Sequence, residues 1–98
     1  MVVWTVPAKE DLRRIYQFIA GDSKYYASEV AERLIELTLH LQLFPDQGRI
    51  VPELNNPKIR ELMIYSYRLI YQLGSKNIYV LTIIHMRQKL RRKNLKSL

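Results

Sequence analysis

The stretch KIRELMIYSYRLIYQLGSKNIYVLTIIHMR, residues 58–87, decides the fold of this 98-residue chain. It contains two runs rich in Ile, Leu, Val, Tyr and Thr and a shorter one before them, and such residues fill a pleated, half-buried surface well. The runs are 59–65, 65–71 and 78–84. Ser66 marks a break between the first two, and Gly74-Ser75-Lys76-Asn77 separates the last two. Because Gly and Asn tolerate positive φ, the second break predicts a tight hairpin turn, and the whole stretch predicts a three-stranded antiparallel meander.

Two amphipathic helices are predicted upstream of the meander, after a short first strand at Val2-Val3-Trp4. Thr5 can cap the first helix, Pro7 suits its first turn, and one apolar face then follows at i, i+3, i+4 and i+7. That face is Leu12, Ile15, Tyr16 and Ile19. The second helix is predicted from about Ser23 to Leu43. A helical hairpin with an apolar seam must cover something, and the last run of the meander is apolar on both faces, so we expect an α+β fold with the hairpin on the sheet.

The apolar stripe of the second helix is wider than one helical face requires. Ala27, Val30, Leu34 and Leu41 belong to the main stripe, and Ile35, Leu39 and Leu43 widen it. This pattern fits a helix buried on more than one side, and it also fits a groove that receives a partner helix.

Charge is distributed unevenly along the chain. Residues 1–61 hold eight Lys and Arg against nine Asp and Glu, a balance of −1, whereas residues 62–98 hold eight Lys and Arg and no acid, a balance of +8. Such a field attracts nucleic acid, an acidic protein or an acidic membrane surface, although a basic tail can also serve only solubility. We expect one domain over residues 1–88 and a basic tail over 89–98, and the tail offers so little to bury that its removal should leave the fold intact.

Composition narrows the classes of function. The chain has no cysteine, which excludes disulfides, thiolate metal sites and a cysteine nucleophile. No apolar run approaches the roughly 20 residues that span a bilayer, and the N-terminus lacks the pattern of a signal peptide, so we expect a cytoplasmic protein. The sequence contains no phosphate loop, no metal-ligand cluster and no nucleophile elbow, and we predict neither a cofactor nor a metal.

Three residues at the ends of the predicted hairpin strands could form a cationic patch. Arg68 lies near the start of one strand, and His85 and Arg87 lie near the end of its antiparallel neighbour. Guanidinium groups placed together suit phosphate, which they can bind bidentately. The alternative is that Arg68 pairs with a carboxylate such as Glu53 or Glu61.

Several motifs in the observed order resemble the ParE branch of the RelE/ParE toxins of bacterial type II toxin–antitoxin modules. The match runs from about residue 2 to residue 88. Its pieces are Asp11-Leu12-x-x-Ile15-Tyr16-x-Phe18-Ile19, Phe44-Pro45-x-x-Gly48-Arg49-x-Val51-Pro52-Glu53-Leu54, Ile59-Arg60-Glu61-Leu62, Ser66-Tyr67-Arg68-Leu69-Ile70-Tyr71 and Ile83-Ile84-His85-Met86-Arg87.

The resemblance implies the same fold and a cognate antitoxin, whose acidic or amphipathic C-terminal segment lies across the helical hairpin and the sheet in this family. It therefore implies a hetero-oligomer without a membrane partner. The residues expected to contact the antitoxin are on the second helix, at Leu34, Ile35, Leu39 and Leu43.

Two activities occur among proteins of this kind. ParE-like members poison DNA gyrase, whereas RelE-like members cleave mRNA on the ribosome. The nuclease members carry lysines on the second strand, where this chain has Ile59 and Glu61, and a tyrosine in the C-terminal segment, where this chain has none after Tyr79. We therefore expect gyrase inhibition, with target-binding residues Arg68, His85, Arg87, Lys89, Arg91, Arg92 and Lys93. A ribosome-dependent endonuclease using Arg68, His85 and Arg87 is the alternative, in which His85 is the only candidate base.

Overall fold

A five-stranded mixed sheet with two helices on one face forms the fold. The computed structural model describes residues 1–91 and Leu95. The elements are, in chain order, β1 (Val2–Trp4), α1 (Val6–Ala20), α2 (Lys24–His40), β2 (Arg49–Ile50), β3 (Ile59–Ile64), β4 (Tyr67–Leu73) and β5 (Ile78–His85). The strand order is β1-β5-β4-β3-β2, with β1 parallel to β5 and the other pairs antiparallel. The predicted α+β class is confirmed, β3, β4 and β5 pair in this order as antiparallel neighbours, and β5 is an interior strand.

Both helices begin at the predicted caps. The Ala8 amide donates to Thr5 Oγ1 at 3.4 Å, and the Tyr26 amide donates to Ser23 Oγ at 3.1 Å. The second helix ends earlier than predicted, at His40 instead of Leu43. Its last backbone bonds shift to the i−3 carbonyl, as in the 3.1 Å bond from the Leu43 amide to the His40 carbonyl. Residues 41–43 therefore form turns that lead to Pro45, which cannot continue a helix.

Gly48 and Gly74 lie in turns where a Cβ atom would come too close to neighbouring atoms. Gly74 and Asn77 tolerate positive φ, but neither residue adopts it, and Gly48 does not adopt it either. A Cβ at Gly74 would lie 2.7 Å from the Asn77 carbonyl oxygen, so the hairpin is tight for steric reasons. Positive φ occurs instead at Asn55 and at Tyr65, the latter in the two-residue turn between β3 and β4.

Each face of the sheet has its own hydrophobic core. The first core lies between the sheet and the helical hairpin and contains Leu34, Leu41, Leu69, Tyr71 and Val80. The second core lies on the opposite face, where Ile70, Leu81 and Ile84 pack with Val51, Ile59, Leu90 and Leu95. Leu90 and Leu95 are 6% and 9% exposed. The expectation that residues 89–98 offer little to bury is therefore wrong, because these two leucines cover a face that the helices do not reach.

The first helix is attached to β5 beyond the end of β1. Because β1 pairs with residues 78–80, the next part of β5 has no strand neighbour on that side among residues 1–91 and Leu95. Asp11 Oδ2 accepts the Thr82 hydroxyl at 2.6 Å and the Ile83 amide at 3.0 Å. These bonds satisfy buried polar groups that would otherwise be costly. No helix in the described part of the chain has the length and hydropathy to cross a bilayer.

Replacing Gly48 with alanine is expected to destabilise the fold by about 1–3 kcal/mol, because the added methyl overpacks a filled site. A Cβ there would lie 2.5 Å from the Glu61 carbonyl oxygen and 2.8 Å from the Tyr71 hydroxyl oxygen. That hydroxyl also accepts the Gly48 amide at 2.9 Å. Urea denaturation of Gly48→Ala measures the change, and Gly21→Ala is the control, since its nearest contact is 3.3 Å. Equal midpoints for the two variants would contradict this account of Gly48.

Candidate functional site

Arg68 lies in a buried network of ion pairs on the second core's face. Its guanidinium binds Glu53 through two bonds of 2.8 Å and Glu61 at 2.6 Å, and the residue is 5% exposed. Arg49 binds the second oxygen of Glu61 at 2.5 Å from the solvent side. A buried charge is tolerated only when it is paired in this way. The sequence alternative in which Arg68 pairs with Glu53 or Glu61 therefore describes the structure, and both carboxylates take part.

The structure does not bring Arg68 and His85 together, so the predicted cationic patch that joins Arg68 to His85 is wrong. The registers pair Tyr67 with His85 and Arg68 with Ile84, and consecutive residues of a strand point to opposite faces. The His85 ring contacts the Tyr67 ring edge-on, with centroids 6.2 Å apart. Arg68 therefore lies on one face of the sheet and His85 on the other.

Charge and hydrogen bonding shift the ionisation of the network. Hydrogen bonds from Arg68 lower the pKa of Glu53 from 4.5 to about 2, the Leu90 amide adds to the effect, and partial burial opposes it. The two glutamates in turn raise the pKa of Arg68 above its already high value, first through the hydrogen bonds with Glu53. The pair is thus fully ionised at neutral pH.

Acid is expected to weaken the fold through Glu53. Because the folded-state pKa lies below the ordinary value, the unfolded chain binds more protons between these values, and stability is lost as the pH falls from about 4.5 to about 2. Glu53→Gln should lower the free energy of unfolding by about 1–3 kcal/mol at pH 7. It should also reduce the loss of stability between about pH 4.5 and about pH 2, called the acid limb here. Thermal unfolding between pH 2 and pH 7 measures it, with Glu36→Gln on the exposed surface of α2 as control. A Glu53→Gln protein that keeps the full acid limb would refute the assignment.

The exposed basic residues of the C-terminal part begin at the last residue of β5. His85, Arg87, Lys89 and Arg91 are exposed, whereas Leu90 between them is buried. The Arg87 amide donates to His85 Nδ1 at 3.2 Å, so the turn that ends the strand is held by the imidazole itself. Of the predicted target-binding residues, Arg92 and Lys93 lie outside the described residues. The geometry thus offers a short basic segment, defined here as residues 85–91, on the surface.

The predicted antitoxin-binding residues divide between core and surface. Leu34 is fully buried in the first core, because it shares the helical face of Ala27, Val30 and Thr38, so the expectation of a surface role for it is wrong. Ile35, Leu39 and Leu43 are 44%, 56% and 76% exposed. They are four residues apart, and Ile35 also lines an open apolar cleft of about 520 Å³ beside β1. The cleft is completed by Met1, Val2, Val3, Trp4, Lys9 and Leu12.

Sequence reasoning missed the role of residues 88–90 in the ion-pair network. The Gln88 carbonyl accepts from Arg68 Nη1 at 2.9 Å, and the Leu90 amide donates to Glu53 Oε2 at 2.9 Å. The available signal was the pair Leu90 and Leu95, two apolar residues within the otherwise polar and basic residues 88–96. Across residues 1–91 and Leu95, no three His, Asp or Glu side chains are grouped as metal ligands.

Two comparisons with known proteins match nearly the whole chain. The model of the ParE toxin family of type II toxin–antitoxin systems, parDE, matches residues 2–90. A solved structure described as the chromosomal ParDE toxin–antitoxin system from P. aeruginosa superimposes with a TM-score of 0.73 at 24% sequence identity. That match covers 88% of this chain and 95% of the other. No curated protein matches the sequence.

Proposed function

Because the chain belongs to the ParE toxin family of type II toxin–antitoxin systems, we propose that it inhibits DNA gyrase in the cytoplasm and that a cognate antitoxin neutralises it. The observation that carries this proposal is the exposed basic segment of residues 85–91, which begins at the end of β5. Arg87 and Lys89 are exposed in a part of the chain, residues 62–98, that contains no acidic residue, so this surface carries positive charge that suits a gyrase–DNA complex.

The burial of Arg68 favours gyrase over mRNA cleavage as the target reaction. In-line cleavage requires a base for the 2′-hydroxyl and cations for the charge that develops on phosphorus, held within hydrogen-bond reach of one phosphate. Arg68 is committed to two carboxylates, and His85 lies on the other face of the sheet. The three residues of the nuclease hypothesis therefore do not converge on one phosphate in this geometry.

Two assays run in parallel test the proposed target. Purified protein added to gyrase and relaxed plasmid is expected to block supercoiling at concentrations near that of the enzyme. Primer extension on mRNA after induction in cells should show intact transcripts. Undiminished supercoiling together with codon-linked cuts in the transcripts would reject gyrase and select the ribosomal endonuclease.

The antitoxin is proposed to dock on an exposed apolar stripe formed by Ile35 and Leu39 of α2 and by Leu43 in the turn that follows α2. Side chains four residues apart lie along one face of a helix, and the stripe runs into the apolar cleft beside β1. Exposed apolar area of this kind is typical of a surface that a partner covers. An amphipathic antitoxin segment could place its apolar face there, and acidic residues beside it could meet Lys9 at the cleft.

Leu39→Glu is expected to weaken antitoxin binding by about 100-fold, because a central apolar anchor of an interface contributes about 2 kcal/mol or more and a buried unpaired carboxylate adds to the loss. Calorimetric titration with the antitoxin from the neighbouring gene measures it. Phe18→Glu is the matched control, since Phe18 is an exposed apolar residue of the other helix. Equal antitoxin affinities for both variants would place the interface elsewhere.

A further inference from the structure

A short piece of the chain after β5 is held by side chains through its backbone. Arg68 Nη1 donates to the Gln88 carbonyl oxygen at 2.9 Å and also to Glu53 Oε2 at 2.8 Å. The same Glu53 oxygen accepts the Leu90 amide at 2.9 Å. One ion pair therefore binds a carbonyl and an amide two residues apart.

This arrangement reproduces the contact that a neighbouring strand would make. In a ladder, an extended strand offers the carbonyl of one residue and the amide of another to the same neighbour. Here the guanidinium supplies the donor and the carboxylate supplies the acceptor. Both bonds involve a charged partner and are therefore stronger than bonds between neutral groups.

The bonds from the Arg68–Glu53 ion pair to the Gln88 carbonyl and the Leu90 amide, called the clamp below, also determine which side chains reach solvent. Because the ion pair binds the backbone of Gln88 and Leu90, the Leu90 side chain packs into the second core beside Val51 and Ile84. Lys89 and Arg91, on either side of Leu90, are exposed. The position of the basic charges therefore depends on the Arg68–Glu53 pair.

Glu53 is the member of the network that is dedicated to this task. Glu61 is compensated twice, by Arg68 and by Arg49, and no bond from its carboxylate to residues 88–90 is seen in the described part of the chain. Glu53 is 25% exposed at its side chain, and its carboxylate binds Arg68 and the Leu90 amide. Removing Glu53 thus leaves Arg68 paired and disconnects one end of the clamp.

We propose that Arg68 and Glu53 are positioning residues that hold the basic segment of residues 85–91 in the orientation that engages the target. This inference rests on the proposed function for its target, but the clamp itself is a property of the free protein. Arg68 thereby acts on the target through the backbone of residues 88–90, without touching the target itself.

Three variants separate this role from a general structural one. Glu53→Ala removes the acceptor of the Leu90 amide, and Glu53→Gln keeps one oxygen that can accept both bonds of Oε2. Arg49→Gln is the control, because Arg49 also pairs with a glutamate of the network and contacts no residue of the segment in the described bonds. Arg68 itself is left unchanged, since its loss would bury unpaired carboxylates.

The readouts are hydrogen exchange at the Leu90 amide, followed by NMR, and inhibition of gyrase by the same samples. Glu53→Ala is expected to speed exchange at Leu90 by about tenfold or more relative to the bulk core amides, with Glu53→Gln in between and Arg49→Gln unchanged. Glu53→Ala should also require several-fold more protein for half-inhibition of gyrase, and Glu53→Gln should recover part of the difference.

The outcomes distinguish the two proposals. Unchanged exchange at Leu90 in Glu53→Ala, or the same change in Arg49→Gln, overturns the clamp even if the wild-type protein inhibits gyrase. Faster exchange with undiminished inhibition overturns the positioning role. A wild-type protein that does not inhibit gyrase refutes the proposed function, while the exchange data still decide whether the clamp exists.

Discussion

A chain that ends at Gln88 is expected to lose most of its folding stability. The deletion removes Leu90 and Leu95 from the second core, and it exposes Ile70 and Leu81, which are 0% and 1% exposed in the full chain. Loss of a buried leucine costs about 2–5 kcal/mol. The total stability of a small domain is about 5–15 kcal/mol, so two such losses approach the whole. Urea denaturation followed by circular dichroism measures the change.

The matched control for this deletion keeps the leucines and changes the charge. Arg87→Gln combined with Lys89→Gln removes two of the cations of the segment while leaving the second core covered, and the free energy of unfolding should stay within about 0.5 kcal/mol per substitution of the wild-type value. Leu90→Ala combined with Leu95→Ala should instead reproduce most of the effect of the deletion. If the truncated chain unfolds at the wild-type urea concentration, the second core does not depend on the C-terminal residues.

Reversing the charge of Arg87 and Lys89 is expected to reduce gyrase inhibition by at least about tenfold. The double substitution Arg87→Glu, Lys89→Glu changes the local charge by four units on exposed positions, where fields steer association and oppose a like-charged surface such as DNA. Neither side chain belongs to a hydrophobic core, so the unfolding midpoint should change little. Supercoiling assays over a range of protein concentrations measure the loss.

The control for charge reversal is Lys24→Glu combined with Lys76→Glu. These residues are exposed, lie at the start of α2 and in the turn before β5, and change the net charge by the same four units. Inhibition by this control should remain close to that of the wild type. If the two double variants lose inhibition equally, the net charge of the molecule matters and the basic segment does not.

Strand and helix patterns predicted the architecture because they report local periodicity. The two helices and the strands β3, β4 and β5 each contain enough apolar residues in register to show which face is buried. By contrast, β2 has only two residues, both exposed, and carries no pattern that a sequence could reveal. The parallel pairing of β1 with β5 joins residues about 76 apart, and three residues do not specify a partner.

The candidate site was harder to predict than the fold. The strand pattern predicted that Arg68 lies near the end of β5, but it did not decide whether the Arg68 guanidinium faces solvent or pairs with Glu53. The reason is that the loop that brings Glu53 to the sheet has no periodicity. Leu34 and Ile35 both belonged to a wide apolar stripe, and only packing against the sheet shows that the first is buried and the second exposed. Leu90 and Leu95 are five residues apart, a spacing that matches neither a strand nor a helix face.

The most direct test of the central claim is the amount of cleaved DNA trapped on gyrase. Purified gyrase and supercoiled plasmid are incubated with the protein, the reaction is stopped with detergent and protease, and linear plasmid is quantified. We predict that linear DNA rises with the concentration of wild-type protein and stays near background for Arg87→Glu, Lys89→Glu. No linear DNA at a molar excess of folded wild-type protein, with supercoiling undisturbed, would contradict the assignment of gyrase as the target.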